Sequence, residues 1–408
     1  MRPEDLRKEF PALDRKVYGK NLVYFDNAAI IQRPQAVLDL WDSLAGNSNA
    51  NIHRAVHKMA DEATEAYEQA RLAVKDFINA SSREEIVFTS GATASVNLVA
   101  YSFGEKYVGE GDEIIVTECE HHSDIIPWQL MCGRKNAVLK VLPVDDSGHL
   151  KLDELENLIT PKTRLLAVTH ISNVLGLVNP VEKIVEICHS KGVKVLVDGA
   201  QGIVHSKVDV QSIGCDFYVF SGHKVYATPG TGVLYGKKEI LDEMPPFMGG
   251  GEMVGTVKFS GTTYAPLPLK FEAGTQNFTG IATLKPALEL ASVISNDSEL
   301  QKSCDEVRDR LYDGLQKVEG LRLFGTTTDM EEKIPLFSFC IKGVHHEDLA
   351  LILDKMGIAV RSGQMCAEPL MDRFGVSGML RVSLASYNTA EEAEYFLKSL
   401  KRAVDMLV

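Results

Sequence analysis

Two charged residues stand at the ends of apolar runs in the middle of the chain. Asp198 closes VKVLVD, and Lys224 follows CDFYVFSGH. A carboxylate and an amine so placed could hold pyridoxal phosphate, the amine condensing with its aldehyde and the carboxylate keeping the ring nitrogen protonated. Each also has a plainer reading. Asp198 could cap the next helix, and a lone lysine could be a surface charge. A buried aspartate at a strand end does need a cationic or hydrogen-bonding partner.

A third group fits the same chemistry. EIVFTSGATASVNLVA (85–100) reads as strand, turn and helix, with Gly91, Ala92 and Thr93 at the helix start. Free N–H groups and the helix dipole make such a point an anion site, although an ordinary strand-to-helix turn would look the same.

These residues need a scaffold, and the pattern around them supplies one. Seven apolar strands are expected within EIVFTS, DEIIVTE, AVLKVLPV, TRLLAVTHI, VKVLVD, CDFYVFS and TGVLYG. Helical stretches such as PVEKIVEICHSKG separate several of them. Near-continuous apolar strands alternating with helices mean a mostly parallel sheet covered on both faces. Residues 53–81 read as one long helix. Residues 244–279, rich in Gly, Pro and Thr, read as a long connection without regular structure, of the kind usually tied to function or an interface. The C-terminal third reads as two helices followed by an αββαβα-like tail. The expected division is a large α/β domain over 20–280, and a smaller α+β domain built from 1–19 with 281–408.

Composition sets outer limits. The 408 residues carry a net charge of −13, spread without a dominant block, which argues against nucleic-acid or anionic-membrane binding. No run is long and apolar enough for a membrane span. The start, MRPEDLRKEFPAL, lacks the apolar core of a signal peptide and reads as a short amphipathic helix. Seven cysteines without metal-ligand spacing suggest reduced thiols in the cytoplasm, and no metal site is expected.

The chain also resembles a known family. YFDNAA (24–29), HRAVH (53–57), GATASVNLVA (91–100), EHHSDIIPWQ (120–129), ISNVLG (171–176), VDGAQ (197–201), FSGHK (220–224), GGGEMV (249–254), FEAGT (271–275), RSGQMCAEPLM (361–371) and RVSLASYNT (381–389) occur in order. Together they are similar to class V aminotransferases, and most of all to SUF-type (type II) cysteine desulfurases and selenocysteine lyases. The resemblance implies the type I fold of pyridoxal-phosphate enzymes, with a seven-stranded, mostly parallel sheet. It implies conversion of L-cysteine to L-alanine with a persulfide on Cys366, supplying sulfur for iron–sulfur cluster assembly. Selenocysteine lyase activity, or a weakly active regulatory protein on the same scaffold, are the alternatives.

The same resemblance implies roles for single residues. Lys224 would bind the cofactor covalently, Asp198 would pair with its ring nitrogen and His121 would stack on the ring. Gln201 and Asn173 would lie by its phenolic oxygen. Ala92, Thr93, Ser221 and His223 would hold the phosphate, and Thr275 would reach the phosphate of the other subunit of a homodimer. Arg381 would clamp the substrate carboxylate, with Arg361 and Asn173 in the same pocket and His53 and Arg54 at its mouth. A sulfur-acceptor protein of the SUF system would receive the persulfide. Several positions depart from the family pattern. Ile30 and Ile31 replace small polar groups expected at the pocket mouth, and Ala92 and Ala94 remove a hydroxyl and a carboxylate from the phosphate turn. Gln276 stands for a proline, and Gln364 and Met365 replace two histidines beside Cys366, which could leave that thiol less activated.

Overall fold

The computed structural model of the chain describes residues 1–53 and 56–408. Apolar side chains every three or four residues put Ala63, Tyr67, Ala70 and Val74 on one face of helix α1, Lys58–Phe77, and that face is buried. The helix starts at Lys58, with the His57 side chain accepting from Ala60 N. The expected start at residue 53 is therefore too early: His53 has a φ of 67°, which no α-helix accommodates.

The seven expected strands form one sheet. They are β1 Ile86–Thr89, β2 Glu113–Thr117, β3 Val138–Leu142, β4 Thr163–Thr169, β5 Lys194–Asp198, β6 Phe217–Ser221 and β7 Gly232–Gly236. Their spatial order is β1-β7-β6-β5-β4-β2-β3. The pairs from β6 through β5, β4 and β2 to β3 are parallel, whereas β7 runs antiparallel to both β1 and β6. Apolar clusters cover both faces, which is why these strands read as unbroken apolar runs. Helix α2, Ala92–Tyr107, packs on β7 and β6, and α3, Ile126–Lys135, packs on α2.

The stretch 244–279 is not wholly irregular. Val254–Lys258 and Gly261–Tyr264 pair as a hairpin, β8 and β9, with Val257, Phe259 and Tyr264 exposed. Its C-terminal part is anchored by Glu272, whose fully buried carboxylate accepts from Arg71 Nη1 and Nη2 (2.8 and 2.9 Å), Tyr67 Oη (2.9 Å) and Phe88 N (2.8 Å).

A second, four-stranded antiparallel sheet contains β10 Leu321–Phe324, β11 Leu336–Ile341, β12 Arg361–Gly363 and β13 Met379–Ser383, in the order β10-β11-β13-β12. Strand β10 was not expected from LRLF, which is only half covered. Ala390–Leu407 forms the last helix, α4, started by a capping box of Thr389 and Glu392. Glu392 also pairs with Arg7 at 2.8 Å, tying the N-terminal helix Pro3–Arg7 to this element. Among the described residues no helix is long and apolar enough to cross a membrane.

Candidate functional site

The carboxyl ends of β1, β2, β4, β5 and β6 face one cavity of about 550 Å³, with β12 and β13 on its far side. Parallel sheets place ligands outside these strand ends. Of the residues singled out from sequence, Ala92, Thr93, His121, Asn173, Asp198, Gln201, Ser221, His223, Lys224, Arg361, Cys366 and Arg381 all line it.

Asp198 ends β5, with Thr169 of β4 in register beside it. It is buried, and Oδ1 accepts from Ala200 N at 2.9 Å. Burial raises its pKa, opposed by the Ala200 N–H and the Lys224 charge. The chain then turns tightly over Tyr218. A Cβ on Gly199 would sit 2.0 Å from that ring, so only glycine lets the turn close and bring Gln201 back over the cavity. Gln201 Nε2 donates to Ala28 O at 2.9 Å, and Lys224 Nζ donates to the same oxygen. Burial lowers the Lys224 pKa to about 8, with the Arg381 charge adding to the effect. A lysine so poised is a competent nucleophile near neutral pH.

At the start of α2, Gly91 has no side chain to cap the helix. Ser221 Oγ accepts from Ala92 N at 2.8 Å, and Thr93 Oγ1 lies 2.8 Å from Ser123 Oγ. His223 stands beside them, its pKa brought down to about 4 by burial and the Lys224 charge. Neutral donors and a helix N-terminus suit a phosphate. His121 is also held neutral, its pKa lowered to about 4 by burial and by Lys224, His122 and Arg381. Its Nδ1 accepts from Ser123 N at 3.1 Å, which assigns the ring proton to Nε2.

The opposite wall is cationic. Arg381 is buried; Nη1 donates to Asn173 O at 2.8 Å and Nη2 lies 3.4 Å from Asp26 Oδ1. Its Nε is buried without a partner, so a donor remains for an incoming anion. Arg361 reaches the same Asp26, Nη2 to Oδ2 at 2.8 Å. Asp26, within YFDNAA, by itself shows no sign of this role in the sequence. Its signal was only that two arginines on neighbouring strands need a counter-charge.

Cys366 is the exposed cysteine; Cys304 and Cys340 are half-buried and the other four are buried. It sits in a strained turn, since Met365 and Cys366 both have a φ of 55°. Three hydrogen bonds fix that turn: Asn173 Nδ2 to Met365 O (2.9 Å), His122 N to Cys366 O (2.7 Å) and Glu368 N to His122 Nε2 (3.1 Å).

Some expectations are corrected. Ile31 is buried in the core and Ile30 is outside the cavity; Ala28 and Ala29 line it instead. Met365 lines the cavity beside Cys366, as expected, and also packs into the core beneath that turn, which it anchors by apolar contact. His53 lies outside the cavity, 3.3 Å from Glu68 Oε1 and edge-on to Tyr67. Thr275, expected to reach the other subunit, is exposed and does not line the cavity of its own chain, which does not contradict that expectation. Arg54 lies outside the described residues.

The chain is similar to known proteins along almost its whole length. The family model described as Aminotransferase class-V matches residues 23–396. A probable cysteine desulfurase of Xylella fastidiosa (strain 9a5c) is 45% identical over 404 residues, covering 99% of this chain and 96% of its own. A cysteine desulfurase of Cronobacter sakazakii is 45% identical, covering 98% and 97%. The crystal structure of a cysteine desulfurase from Escherichia coli superposes with a TM-score of 0.91 at 38% identity, covering 100% of both chains. The apo structure of one from Thermococcus onnurineus NA1 gives 0.93 at 36% identity, covering 100% and 99%.

Proposed function

The chain belongs to the class-V aminotransferase family and, within it, to the pyridoxal-phosphate-dependent cysteine desulfurases, and we propose that Lys224 and Cys366 divide its chemistry between them. Supply of sulfur for iron–sulfur cluster assembly is the general role of that family. The residues present fit the cofactor. An amine of lowered pKa, a buried carboxylate at a strand end and the neutral start of α2 all border one cavity. When bound, pyridoxal phosphate withdraws electrons from the substrate's α-carbon and so weakens its carbon–sulfur bond.

The chain's own groups do the rest. Lys224 is the point of covalent attachment and, when free, a base of suitable pKa at the α-carbon. Asp198 would hold the proton on the ring nitrogen. Ala92, Thr93, Ser221 and His223 would hold the phosphate, and Gln201 and Asn173 would serve the phenolic oxygen. His121 would stack on the ring, with Nε2–H available to donate. Arg381 receives the substrate carboxylate through Nε and Nη2, while Arg361 and Asp26 fix its orientation. Cys366 Sγ then bonds to the substrate sulfur as the bond from that sulfur to Cβ breaks. The carbon is protonated and leaves as alanine, and the persulfide stays on Cys366.

The observation that carries this reading is that one exposed thiol borders the same cavity as the half-buried lysine. Exposure also leaves that sulfur open to an acceptor protein. We read Thr275 as reaching a second copy of the chain, whose approach would cover Val257, Phe259 and Tyr264 on the β8–β9 hairpin. Seven unpaired cysteines suit a reducing compartment such as the cytoplasm. The test is Cys366→Ala. It should keep the bound-cofactor absorbance yet form no alanine from cysteine; full turnover would remove Cys366 from the mechanism.

A further inference from the structure

The segment between β2 and α3 is a turn on which several parts of the cavity converge. His121 stands on it, Ser123 Oγ meets Thr93 Oγ1, and His122 N holds Cys366 O. Beneath these side chains lie Glu120 and Asp124, both fully buried. Glu120 Oε1 accepts from Thr117 Oγ1 (2.5 Å) and Thr169 N (2.8 Å), and Asp124 Oδ1 accepts from Trp128 Nε1 (2.8 Å). The other oxygen of each, Glu120 Oε2 and Asp124 Oδ2, is buried and lacks a donor, although the two carboxyls lie within hydrogen-bonding reach of one another.

Two buried oxygens with no donor are a costly arrangement if both acids are ionised. One proton between them removes both vacancies. We propose that Asp124 keeps a proton and donates it from Oδ2 to Glu120 Oε2, closing a carboxyl–carboxylate bridge that positions the turn carrying His121, His122 and Ser123. Glu120 is the better acceptor, because Oε1 already takes two donors. Asp124 has one, and its neighbours Glu120 and Asp198 are both acidic. Burial and those two charges raise its pKa. The groups facing the bridge are Thr117 at the end of β2 and Cys119 just beyond it, Thr169 of β4, Asp198 of β5 with Lys224 beyond it, Asn179 near Cys119 and Trp128 of α3. None except Lys224 carries positive charge, and it is already faced by Asp198. Glu120 and Asp124 are positioning residues: they touch neither substrate nor cofactor.

The inference rests on the desulfurase reading only for what the turn serves, and its first tests do not depend on sulfur chemistry. In full-length protein, the infrared carbonyl stretch of a protonated carboxylic acid should be present at neutral pH and lost in Asp124→Asn. It should also be lost in Glu120→Gln, where the amide N–H can donate and lets Asp124 ionise. A spectrum unchanged by Asp124→Asn would overturn the assignment, as would loss in that variant alone. A second readout is the pH dependence of urea unfolding. Asp124 held neutral in the fold ionises on unfolding above its ordinary value of 3.8, so its stabilising contribution is present at low pH and fades as pH rises. Relative to Asp124→Asn, the wild-type folding constant should therefore fall about tenfold per pH unit between about pH 5 and pH 7; parallel curves would mean no proton is held. For the positioning role, Asp124→Asn should load sulfur on Cys366 within about threefold of wild type, while Asp124→Leu, which strands Glu120 Oε2, should slow loading by about tenfold or more. Wild-type loading in Asp124→Leu would refute that role and leave the proton assignment to the spectra.

Discussion

Arg381→Lys tests how the cavity selects its substrate. The wild-type guanidinium spends Nη1 on Asn173 O and turns Nη2 toward Asp26, leaving Nε buried and unpartnered. A carboxylate accepting from Nε and Nη2 would satisfy that donor and gain a two-pronged contact. Lysine keeps the charge but presents a single point, so about one charge-assisted hydrogen bond is lost. Such a bond is worth about 1.5–3 kcal/mol, and Arg381 is only 3% exposed, so solvent does little to replace it. At about 1.4 kcal/mol per tenfold, kcat/KM for cysteine should fall roughly 10- to 150-fold, mostly through KM. The assay is alanine formation against cysteine concentration, with cysteinamide as the substrate lacking the carboxylate. Wild type should favour cysteine strongly and Arg381→Lys should barely distinguish the two. Wild-type discrimination in the variant, or a change in kcat alone, would refute the proposed contact.

Three further outcomes follow from the same geometry. The rate of covalent attachment of pyridoxal phosphate to cofactor-stripped protein should rise with pH and level off above about 8, because the free amine is the nucleophile and Lys224 titrates there; a rate still climbing near the ordinary lysine value of 10.5 would contradict that environment. Glu272→Ala should destabilise the protein by about 3–5 kcal/mol in urea titrations, since it leaves the buried Arg71 guanidinium only the partly exposed Glu68 and strands the buried donors Phe88 N and Tyr67 Oη. Gly232→Ala should loosen the cofactor, because its Cβ would lie 2.3 Å from Gly91 Cα at the start of α2; a shift costing about 1–3 kcal/mol would appear as at least fivefold faster cofactor loss on dialysis.

The central sheet was legible because its strands are covered on both faces and so read as apolar runs. The hairpin β8–β9 was not, since its residues are nearly all exposed and alternate with no buried face. Lys224, Asp198 and Cys366 were legible by residue type and place. Asp26 was not, because its role comes from Arg361 and Arg381, more than three hundred residues away in the chain. Met365 was legible only in part, for a related reason. Sequence put it beside a nucleophile, where it does line the cavity, but did not show that it also packs into the core beneath the turn. The same blindness hid Glu120 and Asp124, whose four-residue spacing says nothing about the orphaned oxygens beneath the site.

The central claim is that sulfur leaves cysteine for Cys366, and mass spectrometry of the Cys366 peptide after brief exposure to cysteine addresses it most directly. The peptide should gain the mass of one sulfur atom, removable by reductant, as alanine appears. Alanine formed with that peptide unchanged, or with the added sulfur on another cysteine, would contradict the account.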